Sequence, residues 1–99
     1  MKKVYYHATP MENLDSILTN GIRKGIDGLV YLAEAPDEAA RFVLIRGCKD
    51  ILVLEVEVEE GLVEETFDHS QVFFGCRAFG CKSSIDSSDI IGVSEYEII

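Results

Sequence analysis

Hydrophobic and polar positions change period several times along this chain, and each change marks an element. Lys3 to Ala8 is short and rich in Val and Tyr, the composition of a strand. After Thr9-Pro10 the spacing turns helical, with Met11, Leu14, Ile17 and Leu18 on one face. Thr9 suits the N-cap of that helix, Pro10 its first position, and Glu12 completes a capping box. Asn20-Gly21 ends it, glycine being suited to a left-handed C-terminal cap.

Gly25 and Gly28 flank a turn, and Leu29 to Ala33 reads as a second short strand. Pro36-Asp37-Glu38 opens a second helix, with proline in first position and acids favoured by the helix dipole. Ala39, Ala40, Val43 and Leu44 can line its buried face, and Gly47 ends it. Ile51 to Glu59 alternates most clearly: Leu52, Leu54, Val56 and Val58 point one way, while Glu55, Glu57 and Glu59 share the other face with Ile51 and Val53. That is a strand whose second face is buried only at its start. Gly61 marks a turn, and residues 62 to 75 carry no clear period, with a loop around Phe67-Asp68-His69-Ser70. Phe79 to Ile85 reads as a strand, Ser87-Ser88-Asp89 as a turn, and Ile91 to Ile99 as a final strand. A β-α-β-α order followed by several strands predicts an α+β domain.

Composition narrows the picture. Ninety-nine residues with 47% hydrophobic positions make one domain with a single core. Acids outnumber bases 18 to 9, for a net charge of -9, and the bases form no stripe. Such a charge argues against a nucleic-acid partner. No apolar run reaches membrane-spanning length, and Lys2-Lys3 is followed by no signal-peptide h-region. The expected location is the cytoplasm. An odd number of cysteines, three, argues against a disulfide framework.

Candidate chemistry concentrates near the first two strands. His7 and Thr9 stand two apart at a strand end, so they share a face. Histidine can fix a ribose hydroxyl or a phosphate oxygen, and threonine can add a hydroxyl. A core role for His7 and a capping role for Thr9 compete with that reading. Tyr31, in an otherwise apolar strand, could stack on a flat ring or be a half-buried core residue. The order of these motifs suggests a pocket at strand ends in which His7 and Tyr31 face each other. Cys48, His69, Cys76 and Cys81 lack any CxxC pair and do not have the spacing of a metal site. The acids at 55, 57, 59, 60, 64 and 65 read first as a solvated face.

Taken in order, the His-x-Thr strand end, the helix ending in glycine and the Val-Tyr-Leu strand before a helix resemble the ADP-ribosyltransferase superfamily. That superfamily includes the PARP-like transferases and the RNA 2'-phosphotransferases. The tail Ile85-Asp86-Ser87-Ser88-Asp89-Ile90-Ile91 also resembles the family turn Ile-Pro-Pro-Glu-x-Ile, so the resemblance spans nearly the whole chain. It implies a split, curved, mostly antiparallel sheet core with two short helices that clasps NAD, used as a substrate. It implies that His7, with Thr9 beside it, holds the cofactor and that Tyr31 stacks on the nicotinamide. The chain departs from the family at the third motif, because residues 69 to 85 contain no acid. Gln71, Arg77 and Lys82 are the polar candidates there, Gln71 for a catalytic part and Arg77 for a cofactor contact.

Two functional readings follow. One is a minimal transferase that binds NAD and passes ADP-ribose to a protein or small acceptor. The other is an inactive binding module on the same fold, holding an ADP-ribose-containing ligand or docking a basic protein through a continuous acidic surface from Glu55 to Glu65.

Overall fold

The alternation in Ile51 to Glu59 decides the architecture. In the computed structural model, which describes residues 1–24, 28–44, 50–66 and 78–96, this segment is β3 (Ile51–Glu59). It is the middle strand of a three-stranded sheet, between β1 (Lys2–Pro10) and β6 (Ile90–Tyr96). Both neighbours run antiparallel to it. The β1–β3 ladder is unbroken from Lys2 opposite Glu59 to Pro10 opposite Ile51. The β3–β6 ladder shifts register between Glu55 and Val56.

The second sheet is smaller. It has the order β2 (Val30–Leu32), β5 (Ala78–Cys81), β4 (Val63–Thr66), again antiparallel. The main core lies between the two sheets. Tyr5, Leu54, Val56 and Val58 from the first meet Val30, Leu32, Phe79 and Cys81 from the second. The rings of Tyr5 and Phe79 join them, 5.6 Å apart and tilted by 53°. The other face of the first sheet is covered by α2 (Pro36–Leu44), through a smaller cluster of Ala40, Ile51 and Val53 edged by Tyr6, Ala8 and Tyr96. Beyond that cover, Glu55 and Glu57 are partly buried and Glu59 is exposed, as the alternation predicts. The molecule is therefore α+β, with two antiparallel three-stranded sheets and short helices.

The first helix departs from expectation. β1 continues through Thr9 and Pro10, a 3-10 turn covers Met11–Asn13, and α1 (Leu14–Asn20) follows. The capping box does not form, since no side-chain cap bond is made at Pro10 or Asn13. Pairing with β3 overrides the local signal: Pro10 ends the ladder, and Met11 N–H donates to the Asp50 carbonyl at 2.9 Å. Of the expected apolar stripe, Ile17 is buried, Met11 and Leu14 are partly buried, and Leu18 is 51% exposed. Gly21 does end the helix, with φ 77° and its N–H on the Ile17 carbonyl at 2.8 Å. Its ψ of -172° is extended rather than helical, because the chain turns at once into a two-way backbone bridge between Ile22 and Ile85.

Four-residue β4 lies in the stretch that showed no period. The predicted strand from Phe79 to Ile85 is shorter, ending at Cys81. Asp86 caps a 3-10 turn at Ser87–Asp89, accepting from the Ser88 N–H at 3.0 Å. The final strand starts one residue early, at Ile90, and its description ends at Tyr96. The turn at Gly25, the helix end at Gly47, the loop 67–70 and the side chains of Val43 and Leu44 lie outside the described residues.

Candidate functional site

Among the described residues, the two sheets meet at one antiparallel bridge between Tyr6 of β1 and Ala33, just after β2. Tyr6 N–H donates to the Ala33 carbonyl at 2.9 Å and Ala33 N–H returns a bond to Tyr6 at 2.8 Å. Beyond that pair the strands part. Lys3 ties the same junction from outside, its Nζ 3.3 Å from a Glu34 carboxylate oxygen.

Hydrogen-bond alternation shows what faces the split. In an antiparallel ladder, bonded and non-bonded pairs alternate. Tyr6 uses both its backbone groups on Ala33, so Tyr5, His7 and Thr9 carry the backbone bonds to β3. The backbone groups of Ala8, two residues on, then point the same way as those of Tyr6. One N–H donor and one carbonyl acceptor are thus directed into the split.

His7 sits at this point, partly exposed, opposite Leu54. Its Nδ1 lies 2.8 Å from the Tyr31 carbonyl oxygen. A carbonyl can only accept, so Nδ1 carries the proton and, in the neutral ring, Nε2 presents the lone pair. Burial pushes the imidazole pKa below its ordinary value, and the bond to the Tyr31 carbonyl opposes that shift without cancelling it. The site thus holds a neutral histidine whose accepting nitrogen is set by a backbone contact.

Tyr31 joins the site differently from expectation. Val30 and Leu32 are buried and Tyr31 is 40% exposed, so its ring turns away from the main core. The contact between His7 and Tyr31 is ring to main-chain carbonyl, not side chain to side chain. Thr9 is 5% exposed, and its hydroxyl accepts a bond from Asn13 Nδ2 at 3.0 Å. It braces the turn after β1. Gln71 and Arg77 lie outside the described residues, as do Cys48, His69 and Cys76. Cys81 is buried in the main core.

Sequence reasoning missed two features. The Ala8 backbone edge has no side-chain signal and follows only from the bridge at Tyr6. Glu64 belongs to a strand too short to read, and the register places it opposite Gly80, which is itself opposite Tyr31. The acids from 55 to 65 are divided between the sheets: Glu55, Glu57 and Glu59 lie on β3, and Glu64 and Glu65 alternate along β4.

No family model matches this chain, and no curated protein matches it. The crystal structure of protein CC0527 from Caulobacter crescentus is similar to it over 98% of this chain and 89% of that one, with a TM-score of 0.69 and 15% sequence identity. At that identity the likeness shows that the two share a fold.

Proposed function

We propose that this chain is a small ADP-ribosyltransferase-like protein that binds NAD at the split between β1 and β2 and transfers its ADP-ribose to an acceptor. The observation that carries the reading is the His7 Nδ1 bond to the Tyr31 carbonyl, made where the Ala8 backbone turns into the split. These groups fit the nicotinamide end of NAD. An adjacent N–H donor and carbonyl acceptor match a carboxamide, which offers one of each. His7 Nε2, held as an acceptor, can take a bond from a ribose hydroxyl. The exposed Tyr31 ring offers an apolar face for the nicotinamide.

Calorimetric titration of the protein with NAD tests the reading, with His7→Ala and Tyr31→Ala as variants. Saturable binding is expected in the wild type. It should weaken by at least about tenfold in each variant, the worth of one good polar or stacking contact. Thermal melts establish that the variants fold. Absence of binding at millimolar NAD would sink the proposal.

A further inference from the structure

The first sheet ends in solvent on one side. Its last strand, β6, pairs with β3 and with no other strand among the described residues. Because Tyr5, His7 and Thr9 carry the backbone bonds between β1 and β3, their partners Val56, Leu54 and Leu52 turn their own backbone groups toward β1. The alternate residues Ile51 and Val53 then bond to Tyr96 and Ser94, and alternation sends the N–H and carbonyl of Val93 and Glu95 out to the open edge. The side chains agree. Val93 is paired with the fully enclosed Leu54 and so lies on the main-core face, yet it is 44% exposed, and Ile91 is 52% exposed. The cover supplied by the second sheet stops short of this edge.

Open strand edges are usually guarded by a charge or a proline. The other edges among the described residues follow that rule: β1 opens with Lys2 and Lys3 and closes on Ala33 at Tyr6, and β4 carries Glu64 and Glu65. β6, Ile-Ile-Gly-Val-Ser-Glu-Tyr, has Glu95 as its one charge, and the register shift opposite Glu55 and Val56 leaves residues 92 to 96 regular.

We propose that β6 is a homodimer interface: it pairs with β6 of a second copy, antiparallel about a two-fold axis at Val93, joining the two three-stranded sheets into one. A second copy fits because the strand complements itself in this register. Val93 lies opposite Val93, Gly92 opposite Ser94, Ile91 opposite Glu95 and Ile90 opposite Tyr96, so no acid faces an acid. Ile91 lies diagonal to Val93 of the second copy on one face, within reach of it, which brings the exposed apolar side chains together. The two Glu95 Cα atoms stand about 14 Å apart, four residues along the strands, beyond the screening length of about 8 Å at physiological salt. The axis falls on a hydrogen-bonded pair, in which each Val93 both donates and accepts. Such a contact is isologous and closed, so association stops at the dimer. A single strand pair is a small interface, and each copy carries a net charge of -9, so the dimer is weak, with a Kd on the order of 10 μM or above.

Sedimentation velocity over a concentration series reaching about 1 mM tests the proposal in wild type and Val93→Lys. The dimer should grow with concentration in the wild type, and added salt should strengthen it, since screening weakens the repulsion between two acidic copies. Val93→Lys sets two ammonium groups face to face on the axis and should raise the Kd at least about tenfold, with a thermal melt in dilute solution to establish that it folds. Val93→Cys reads the register independently. The Cα atoms of a bonded pair lie about 5.5 Å apart, within reach of a disulfide, so oxidised glutathione should link two copies through residue 93. Glu95→Cys, about 14 Å from its copy in this register, should link no better than the wild type, which measures the background from the native cysteines. A wild type that stays monomeric at about 1 mM would overturn the proposal and leave the edge to a strand of another protein. An undiminished dimer in folded Val93→Lys, or Glu95→Cys linking as readily as Val93→Cys, would overturn it as well. So would a Val93 amide protected from hydrogen exchange in dilute, monomeric protein, because a segment of the same chain would then already cover the edge.

Discussion

The two sheets solve different problems with the same antiparallel pairing. In the first, β1 and β3 pair over nine consecutive positions, with the main core on one face and α2 on part of the other. In the second, β2 and β5 pair over three positions and β4 and β5 over four. The long ladder can hold a side chain in place by sheer continuity. The short one depends on the core beneath it and on the bridge at Tyr6 and Ala33. The candidate site draws on both. His7 is mounted on the long ladder, while Tyr31 is mounted on the short one. The longer ladder thus presents the polar nitrogen, and the shorter one presents the ring.

The sharpest way to break that contrast is to cut a cavity in each sheet. Leu54 and Leu32 are both fully enclosed, at 0% and 1% exposure. Truncation to alanine should destabilise by about 2–5 kcal/mol at either position, with the spread set by how far the surroundings collapse. Leu54→Ala should lie at the upper end, since nine-residue strands cannot easily relax, and Leu32→Ala at the lower end. Urea denaturation gives the two values. A larger loss for Leu32→Ala would show that the small sheet is the more rigid one and reverse the comparison.

A smaller effect comes from the glycines that lead into the second sheet. Gly21 and Gly28 have nearly the same φ, 77° and 79°. At Gly28 a Cβ would meet nothing within 4 Å, whereas at Gly21 it would collide with the Ile85 carbonyl oxygen, a backbone atom. Gly28→Ala should therefore cost about 1 kcal/mol, the strain of a positive φ alone. Gly21→Ala should cost roughly 1–3 kcal/mol for its backbone conformation, and more for prising apart the Ile22–Ile85 bridge. Equal melting temperatures for the two variants would show that this close approach contributes nothing to stability.

The same contrast in length explains what could be read from the sequence. Ile51 to Glu59 runs apolar for four residues and then alternates, so its strand, its two faces and the limited cover over its acids were all legible. β4, Val-Glu-Glu-Thr, is too short to show a period, and its place across β5 from β2 depends on pairing between strands far apart in the chain. Thr9-Pro10-Met11-Glu12 carries a good capping signal, yet the ladder with β3 holds Thr9 and Pro10 extended. Leu18 fits a helical stripe, but a seven-residue helix presents only Ile17 to the core. His7 and Tyr31 were legible as chemistry, from residue type and order. Their actual contact, through a main-chain carbonyl, was not, because a backbone acceptor leaves no mark in sequence.

The smallest expected effect tests the link between the sheets itself. His7 reaches from β1 to the Tyr31 carbonyl across the split, and burial holds its folded pKa below the ordinary value of 6.5. The unfolded chain therefore takes up a proton first as the pH falls. Stability from this group is fully present above pH 6.5. It declines as the pH drops through the unfolded pKa, and levels off only below the folded one. The slope in that window cannot exceed about 1.4 kcal/mol per pH unit for one proton. Denaturation midpoints of the wild type and His7→Gln, measured from pH 8 to pH 5, isolate the contribution, because every other titrating group is common to both. The difference between them should be constant above pH 7 and should shift against the wild type as the solution is acidified. A difference that stays flat over the whole range would mean that the imidazole takes up its proton as easily in the fold as in the open chain. The ring would then be a solvated surface group rather than a packed link between the two sheets.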